Sequence, residues 1–248
     1  NVSHELKTPA GAISLLAETV SDAADDPGAV RYFAGRITKE SARLTELVTH
    51  LIELQRAQDA PAMLKAQRIS AMSVVRAAVG ENLVQAGAKH IAIRLSLRGE
   101  QAPVDADAAA DDEAQRDIAI MIDRETLTMA VKNLVENAIK YNLPGGDVTV
   151  RVETRGEQSI LSVADTGIGI PEADRPNIFN RFYRVDKARS REHGGSGLGL
   201  SIVHDAAALY GGTVTVDGVE PHGTRFTVTF PRAAADDAPE TQKEVPET

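Results

Sequence analysis

The 248-residue chain is 42% hydrophobic and 25% charged, the balance of a soluble globular protein with one large domain or two ordinary ones. It has no cysteine, which excludes a disulfide framework and a thiolate metal site and suits a reducing cytoplasm. The formal net charge of −9 is confined to two stretches rich in Ala, Asp, Glu and Pro: seven acids against one Arg over 100–117, and five acids against two bases over 232–248. Neither stretch has enough large apolar residues to offset its ordering entropy by burial. Both are therefore expected to be disordered, with no part in binding nucleic acid or membrane. No run approaches the roughly 18 apolar residues of a membrane span, and the chain opens Asn-Val-Ser without a leader, so it is expected to be the cytoplasmic portion of a longer protein.

From the N-terminus, Leu6, Ile13, Leu16 and Val20 recur at helical spacing, and Pro9 is expected to bend that helix about one turn after His4. Asp25-Asp26-Pro27-Gly28 reads as a turn and a helix start. Val30, Phe33, Ile37, Leu44, Leu47, Leu51 and Leu54 then step by threes and fours, with Glu40 at the one polar place, in a coiled-coil-like seam running to about Gln58. Two such helices leave half of each apolar stripe wet. A second copy closing a four-helix bundle, and hence a homodimer, is expected over packing of the stripe on the rest of the same chain.

Asp59-Ala60-Pro61-Ala62 breaks the helical pattern. The expected organisation is a helical unit over 1–58, a linker over 59–68, a second domain over 69–231 that contains the acidic insert, and a tail over 232–248. In the second domain the spacing predicts a helix over 73–88, then a half-buried strand on Ile91, Ile93, Leu95 and Leu97. A short strand over 118–122 and a long helix from Asp123 to about Tyr141 follow. Strands over 147–154 and 159–164 flank a Gly-containing turn, 166–195 is loop-like, and a helix covers 197–210. A hairpin of 213–219 and 224–230 closes the chain. This order predicts an α/β sandwich, a mixed sheet covered on one face by helices.

Four pieces of this domain fit one chemistry. Asn133, Asn137 and Lys140 share a helix face with Tyr141 close by; amide oxygens can complete the shell of a phosphate-bound Mg2+, and an ammonium offsets phosphate charge. Asp165 ends a strand before Gly167 and Gly169, where a carboxylate can accept the exocyclic amine of adenine and the backbone can approach a flat base. Gly194-Gly195-Ser196-Gly197-Leu198-Gly199 leads into a helix, offering N–H groups and a positive dipole end to an anion. Between these, residues 181–191 hold five bases, Arg184 among them, against one acid, as a lid over a triphosphate would need. Each piece alone is matched by a plain alternative: a polar helix face, an ordinary turn, a solvated basic loop. No GxxxxGK[ST] occurs, and Leu200 stands where a dinucleotide fingerprint needs its third glycine, so neither of those nucleotide folds fits.

The segments SHELKTP, NLVENAIKYN, DTGIGI, FNRFYRVD and GGSGLGL resemble, in order and rough spacing, the five boxes of sensor histidine kinases. The run FYRVDKARSREHGGSGLGLSIV is similar to the phosphate-starvation kinases of actinobacterial and Gram-positive type. The resemblance implies a dimeric phosphoacceptor hairpin followed by an ATP-binding sandwich of the type shared with gyrase, Hsp90 and MutL. By motif, His4 is the expected phosphoacceptor, Glu5 its base, and Thr8 the residue positioning water for dephosphorylating a partner. Asn137 is the expected Mg2+ ligand beside Asn133, Lys140 a phosphate contact, Tyr141 and Asp165 adenine contacts. Gly167, Gly169, Arg184, Gly195, Ser196, Gly197, Leu198 and Gly199 complete the expected ATP site. The implied partners are a second copy and a response regulator, a DNA-binding transcription factor. The competing expectation is an ATP-driven conformational clamp with no phosphohistidine.

Overall fold

The computed structural model describes residues 2–59, 66–98, 100–102, 118–185 and 196–233, without the side chains of 2–5, 43, 46, 47, 50–59 and 101–102. Of the stretches expected to be disordered, 100–117 and 232–248, all but 100–102 and 232–233 lie outside these residues, as does most of the expected linker; Arg232 instead continues from the last strand, its N–H donating to Glu157 O at 2.9 Å.

Helices α1 (Val2–Asp22) and α2 (Pro27–Asp59) pack as a hairpin. Asp26 caps α2, accepting Gly28 N at 2.9 Å and Ala29 N at 3.1 Å, while Pro27 occupies the first helical position, where its missing N–H would be unpaired anyway. Helix α1 runs through Pro9. The seam residues Ile13, Leu16, Val20, Val30, Phe33, Ile37, Glu40 and Leu44 all remain half-buried, and Leu15 and Tyr32 are exposed. One hairpin therefore leaves the stripe partly wet. No described helix is long and apolar enough to cross a membrane.

The second domain is built on a six-stranded sheet in the order β3-β2-β5-β6-β8-β7. Its strands are β2 (Ala92–Leu97), β3 (Glu100–Ala102), β5 (Asp147–Arg155), β6 (Gln158–Asp165), β7 (Thr213–Gly218) and β8 (Thr224–Pro231). Among the described strands only β2 and β5 pair in parallel, so the sheet is mixed. Val148, Val150 and Val152 alternate along β5 with less buried residues, as do Phe226, Val228 and Phe230 along β8, the pattern of a sheet with one face in the core. Helices α3 (Ala71–Ala88), α4 (Arg124–Lys140) and α5 (Gly199–Leu209) form the covering layer, with α4 between the other two. Burial of residues such as Val75, Val131, Leu134 and Val203 is worth roughly 1.5–3 kcal/mol each.

Two strands depart from the expectation. The segment at 118–122 forms β4 (Ala119–Ile122), but it pairs with β1 (Gln67–Ser70) in a separate two-stranded sheet. Gln-Arg-Ile-Ser is too short and too polar to announce itself as a strand, and only pairing with β4 holds it extended. Glu100–Ala102, the first three residues of the acidic stretch, form the antiparallel edge strand β3. The N-termini of α3 and α4 are locally specified: Ser70 caps α3 through Ser73 N, and Asp123 caps α4 through Thr126 N.

Candidate active site

Asp165 is the last residue of β6 and only 5% exposed. Its Oδ1 accepts Gly167 N at 2.8 Å and Thr224 N at 3.3 Å. Among the described residues no donor reaches Oδ2, which is left for an outside partner. Burial pushes this carboxyl above its ordinary value, against the pull of the Gly167 and Thr224 amides.

The loop after Asp165 is fastened to the end of α4. Ile168 N donates to Tyr141 O at 3.1 Å, and a β-carbon on Gly167 would lie 2.3 Å from that same carbonyl oxygen. Only glycine permits this approach, and it brings Asp165 and Tyr141 to one place. Asn142 and Thr166 complete the joint: Asn142 Nδ2 donates to Asp147 O at 3.0 Å, and Asp147 N donates to Thr166 Oγ1 at 2.9 Å.

On α4, Asn137 and Lys140 stand half-buried one turn apart, and among the described residues the Asn137 amide has no hydrogen-bonding partner. The Lys140 Nζ lies 5.5 Å from the centroid of the Tyr141 ring. Asn133, one turn earlier, is buried: its Nδ2 donates to Met129 O at 2.9 Å, and its oxygen faces Gly199 at the start of α5. Among the described residues, no three His, Cys, Asp or Glu side chains gather as a metal site. A metal ion here would rest on substrate phosphates, water and an amide oxygen such as that of Asn137, and a half-buried amide without a protein partner fits that role.

At the start of α5, Ser196 is buried and its Oγ accepts Leu198 N at 3.3 Å. Leu198 stands at the cap position and, among the described residues, no side chain caps the helix, so its first amides are available to an anion. Leu198 and Ile202 pack with Met129, Phe182 and Leu6 of α1. The helix carrying His4 is thus anchored to the start of α5 two residues past His4. Arg184 is half-buried, with one guanidinium nitrogen enclosed. Thr8 is exposed on α1. The side chains of His4 and Glu5 lie outside the described residues, as do Gly195 and residues 186–194 of the basic window.

The sequence reading missed four residues that hold this arrangement: Lys89, Asn142, Thr166 and Thr224. Lys89, at the end of α3, donates from Nζ to Ile139 O at 2.9 Å and Lys140 O at 2.7 Å, capping α4 where its candidate ligands sit. Nothing local marks Lys89 or Thr224. The Asn-Leu-Pro-Gly-Gly run after α4 was the one signal that could have pointed to Asn142.

Residues 1–60 match the His Kinase A (phospho-acceptor) domain, and residues 122–234 match the histidine kinase-, DNA gyrase B-, and HSP90-like ATPase family. Over 231 residues the chain is 39% identical to the sensor-like histidine kinase SenX3 of Mycolicibacterium smegmatis, covering 93% of this chain and 56% of that protein. Over 234 residues it is 31% identical to the sensor histidine kinase WalK of Bacillus subtilis, covering 93% of this chain and 36% of that one. The chain thus spans about half the length of SenX3 and less of WalK. In fold it is similar to the Acinetobacter baumannii histidine kinase AdeS, with a TM-score of 0.69 at 19% identity over 93% of this chain and 98% of that one. It is equally similar to the histidine kinase ThkA solved in complex with response regulator protein TrrA, with a TM-score of 0.69 at 20% identity over 94% and 60% of the two chains.

Proposed function

Because this chain belongs to the sensor histidine kinase family, we propose that it uses ATP to phosphorylate His4 and passes the phosphoryl group to an aspartate of a response regulator. The observation that carries the nucleotide part is Asp165, a buried carboxylate with one oxygen tied to two backbone amides and the other left for an external donor, as recognition of an adenine amine requires. ATP then lies between the Asp165 loop, the Asn137 face of α4 and the uncapped amides of α5. Mg2+, when bound, offsets phosphate charge with Asn137 as its protein ligand, while Lys140 and Arg184 add positive charge toward the phosphates.

In the transfer step a ring nitrogen of His4 attacks the γ-phosphorus, the bond to the bridging oxygen breaks, and ADP leaves with that oxygen. Glu5 takes the ring proton, which keeps the phosphorylated imidazole from reversing the step as an imidazolium. The phosphoryl group then passes to the regulator's carboxylate, and Thr8 positions water for its later hydrolysis. Two copies join through the half-buried seam as a four-helix bundle. In the whole protein this portion faces the cytoplasm beside a membrane anchor.

The test is incubation of the chain with ATP labelled at the γ-phosphate. Acid-labile, alkali-stable label that is lost in His4→Gln is the expected result; ATP hydrolysis without label would instead favour a conformational clamp.

A further inference from the structure

Between the Asp165 loop and the start of α5, the chain from Pro171 to Tyr183 runs as a series of tight turns. They are closed by Asp174 N to Pro171 O at 3.0 Å, Asn177 N to Asp174 O at 2.8 Å, Asn180 N to Asn177 O at 2.9 Å and Tyr183 N to Asn180 O at 3.1 Å. Across all of these turns the Tyr183 hydroxyl donates back to Asp174 Oδ1 at 2.5 Å. Both residues are half-buried, and the Tyr183 ring packs against the main core. The phenol is held above its ordinary value chiefly because Asp174 accepts its proton, with burial adding to the effect. A short bond to a carboxylate ranks among the stronger neutral-donor hydrogen bonds.

Beside this bond the backbone is unusual. Phe182, beside Tyr183, takes a left-handed φ of 65°, and its N–H donates to Gly197 O at 2.8 Å. Gly197 is itself left-handed, with φ of 70°, and a β-carbon there would lie 2.9 Å from the Phe182 carbonyl carbon. A bulky residue persists in this conformation only where its surroundings over-determine it. The turn run leaves the Asp165 loop at one end and meets the Gly197 start of α5 at the other, so its length sets the separation of the two.

We propose that Asp174 and Tyr183 are a positioning pair that holds the Asp165 loop and the Gly197 end of α5 in register. A nucleotide bound by its base at Asp165 then meets phosphate-binding amides at the correct distance. The pair acts through the Phe182 and Gly197 backbone. This inference rests on reading the site as an ATP site.

Calorimetric titration of the full chain with ATP and Mg2+, and separately with adenosine, tests it. Tyr183→Phe and Asp174→Ala are expected to weaken ATP about tenfold, the loss typical of one hydrogen bond to a charged group, with adenosine affinity unchanged. Asp174→Asn, which keeps an acceptor, retains most of the ATP affinity. The double variant Asp174→Ala with Tyr183→Phe is no weaker than either single one, as coupled partners require. In an ultraviolet titration, one of the four tyrosines ionises later than the others, and Asp174→Ala removes that delay. Unchanged ATP affinity in Tyr183→Phe would overturn the proposal, and so would a parallel loss of ATP and adenosine, which marks a merely structural bond. If the native chain bound neither ligand, the ATP reading itself would fall and the pair's role with it.

Discussion

The side-chain oxygen of Asn133 occupies the space that a β-carbon on Gly199 would need: the two would be 2.4 Å apart. This contact sets how closely the start of α5 approaches α4, and therefore where its uncapped amides stand relative to Asn137. Because the Asn133 amide nitrogen is already bonded to Met129 O, the side chain cannot easily swing away. Gly199→Ala is accordingly expected to cost about 1–3 kcal/mol through overpacking, with a weaker affinity for ATP. Adding Asn133→Ala removes the obstructing oxygen, and the double variant is expected to recover most of the lost Tm in differential scanning calorimetry.

Asp165 couples stability to function through its titration. Its folded pKa lies above the ordinary value of 3.8, so the folded chain holds this proton more tightly than the unfolded chain. The stability so contributed is complete below the ordinary value and is lost as pH rises through the folded one. At neutral pH the ionised, buried carboxylate is therefore a net cost to the fold. Asp165→Asn, whose amide oxygen can still accept from Gly167 and Thr224, is expected to raise the Tm of the nucleotide-free chain at pH 7. The advantage shrinks as the solution is acidified. The same variant presents an amide in place of a carboxylate acceptor and is expected to lose ADP affinity by about tenfold or more, which calorimetry reads directly.

Lys89 offers a test of how α4 is held. Its ammonium satisfies the carbonyls of Ile139 and Lys140 at the negative end of the helix dipole. Lys89→Met keeps the aliphatic stem but leaves both carbonyls without that donor, so a loss of roughly 1–3 kcal/mol is expected in denaturant unfolding. Since Lys140 and Tyr141 sit on that last turn, ATP affinity should fall in the same variant. An unchanged midpoint and unchanged affinity would show that water replaces the cap without consequence.

The half-buried seam of the hairpin makes a prediction about assembly. Ile37→Asp places a charge in the middle of the stripe, where a second copy would have to desolvate it. Sedimentation equilibrium is expected to show a monomer for this variant and a dimer for the native chain, while ADP binding in the second domain persists. A dimer that survives Ile37→Asp would place the two-fold contact elsewhere.

The amino-acid sequence by itself determined the hairpin, the order of most strands and helices, and the short pieces around Asp165, Asn137 and Gly199. These features are written in local chemistry: helical periodicity, alternation along strands, glycine where the backbone turns or enters a helix, and Asp26 and Asp123 where helices begin. Tertiary structure decided the rest. Whether Asn133 faces a ligand or Gly199 depends on α5, more than 60 residues on. The Lys89 cap on α4 and the Thr224 amide on Asp165 join residues 50 and 59 positions apart. Strands β1 and β3 exist because a partner strand supplies their hydrogen bonds, which segments of four and three mostly polar residues cannot signal alone. Local patterns place a side chain on an element; only packing decides what that side chain meets, because the deciding contact lies outside any window in which a period can be read.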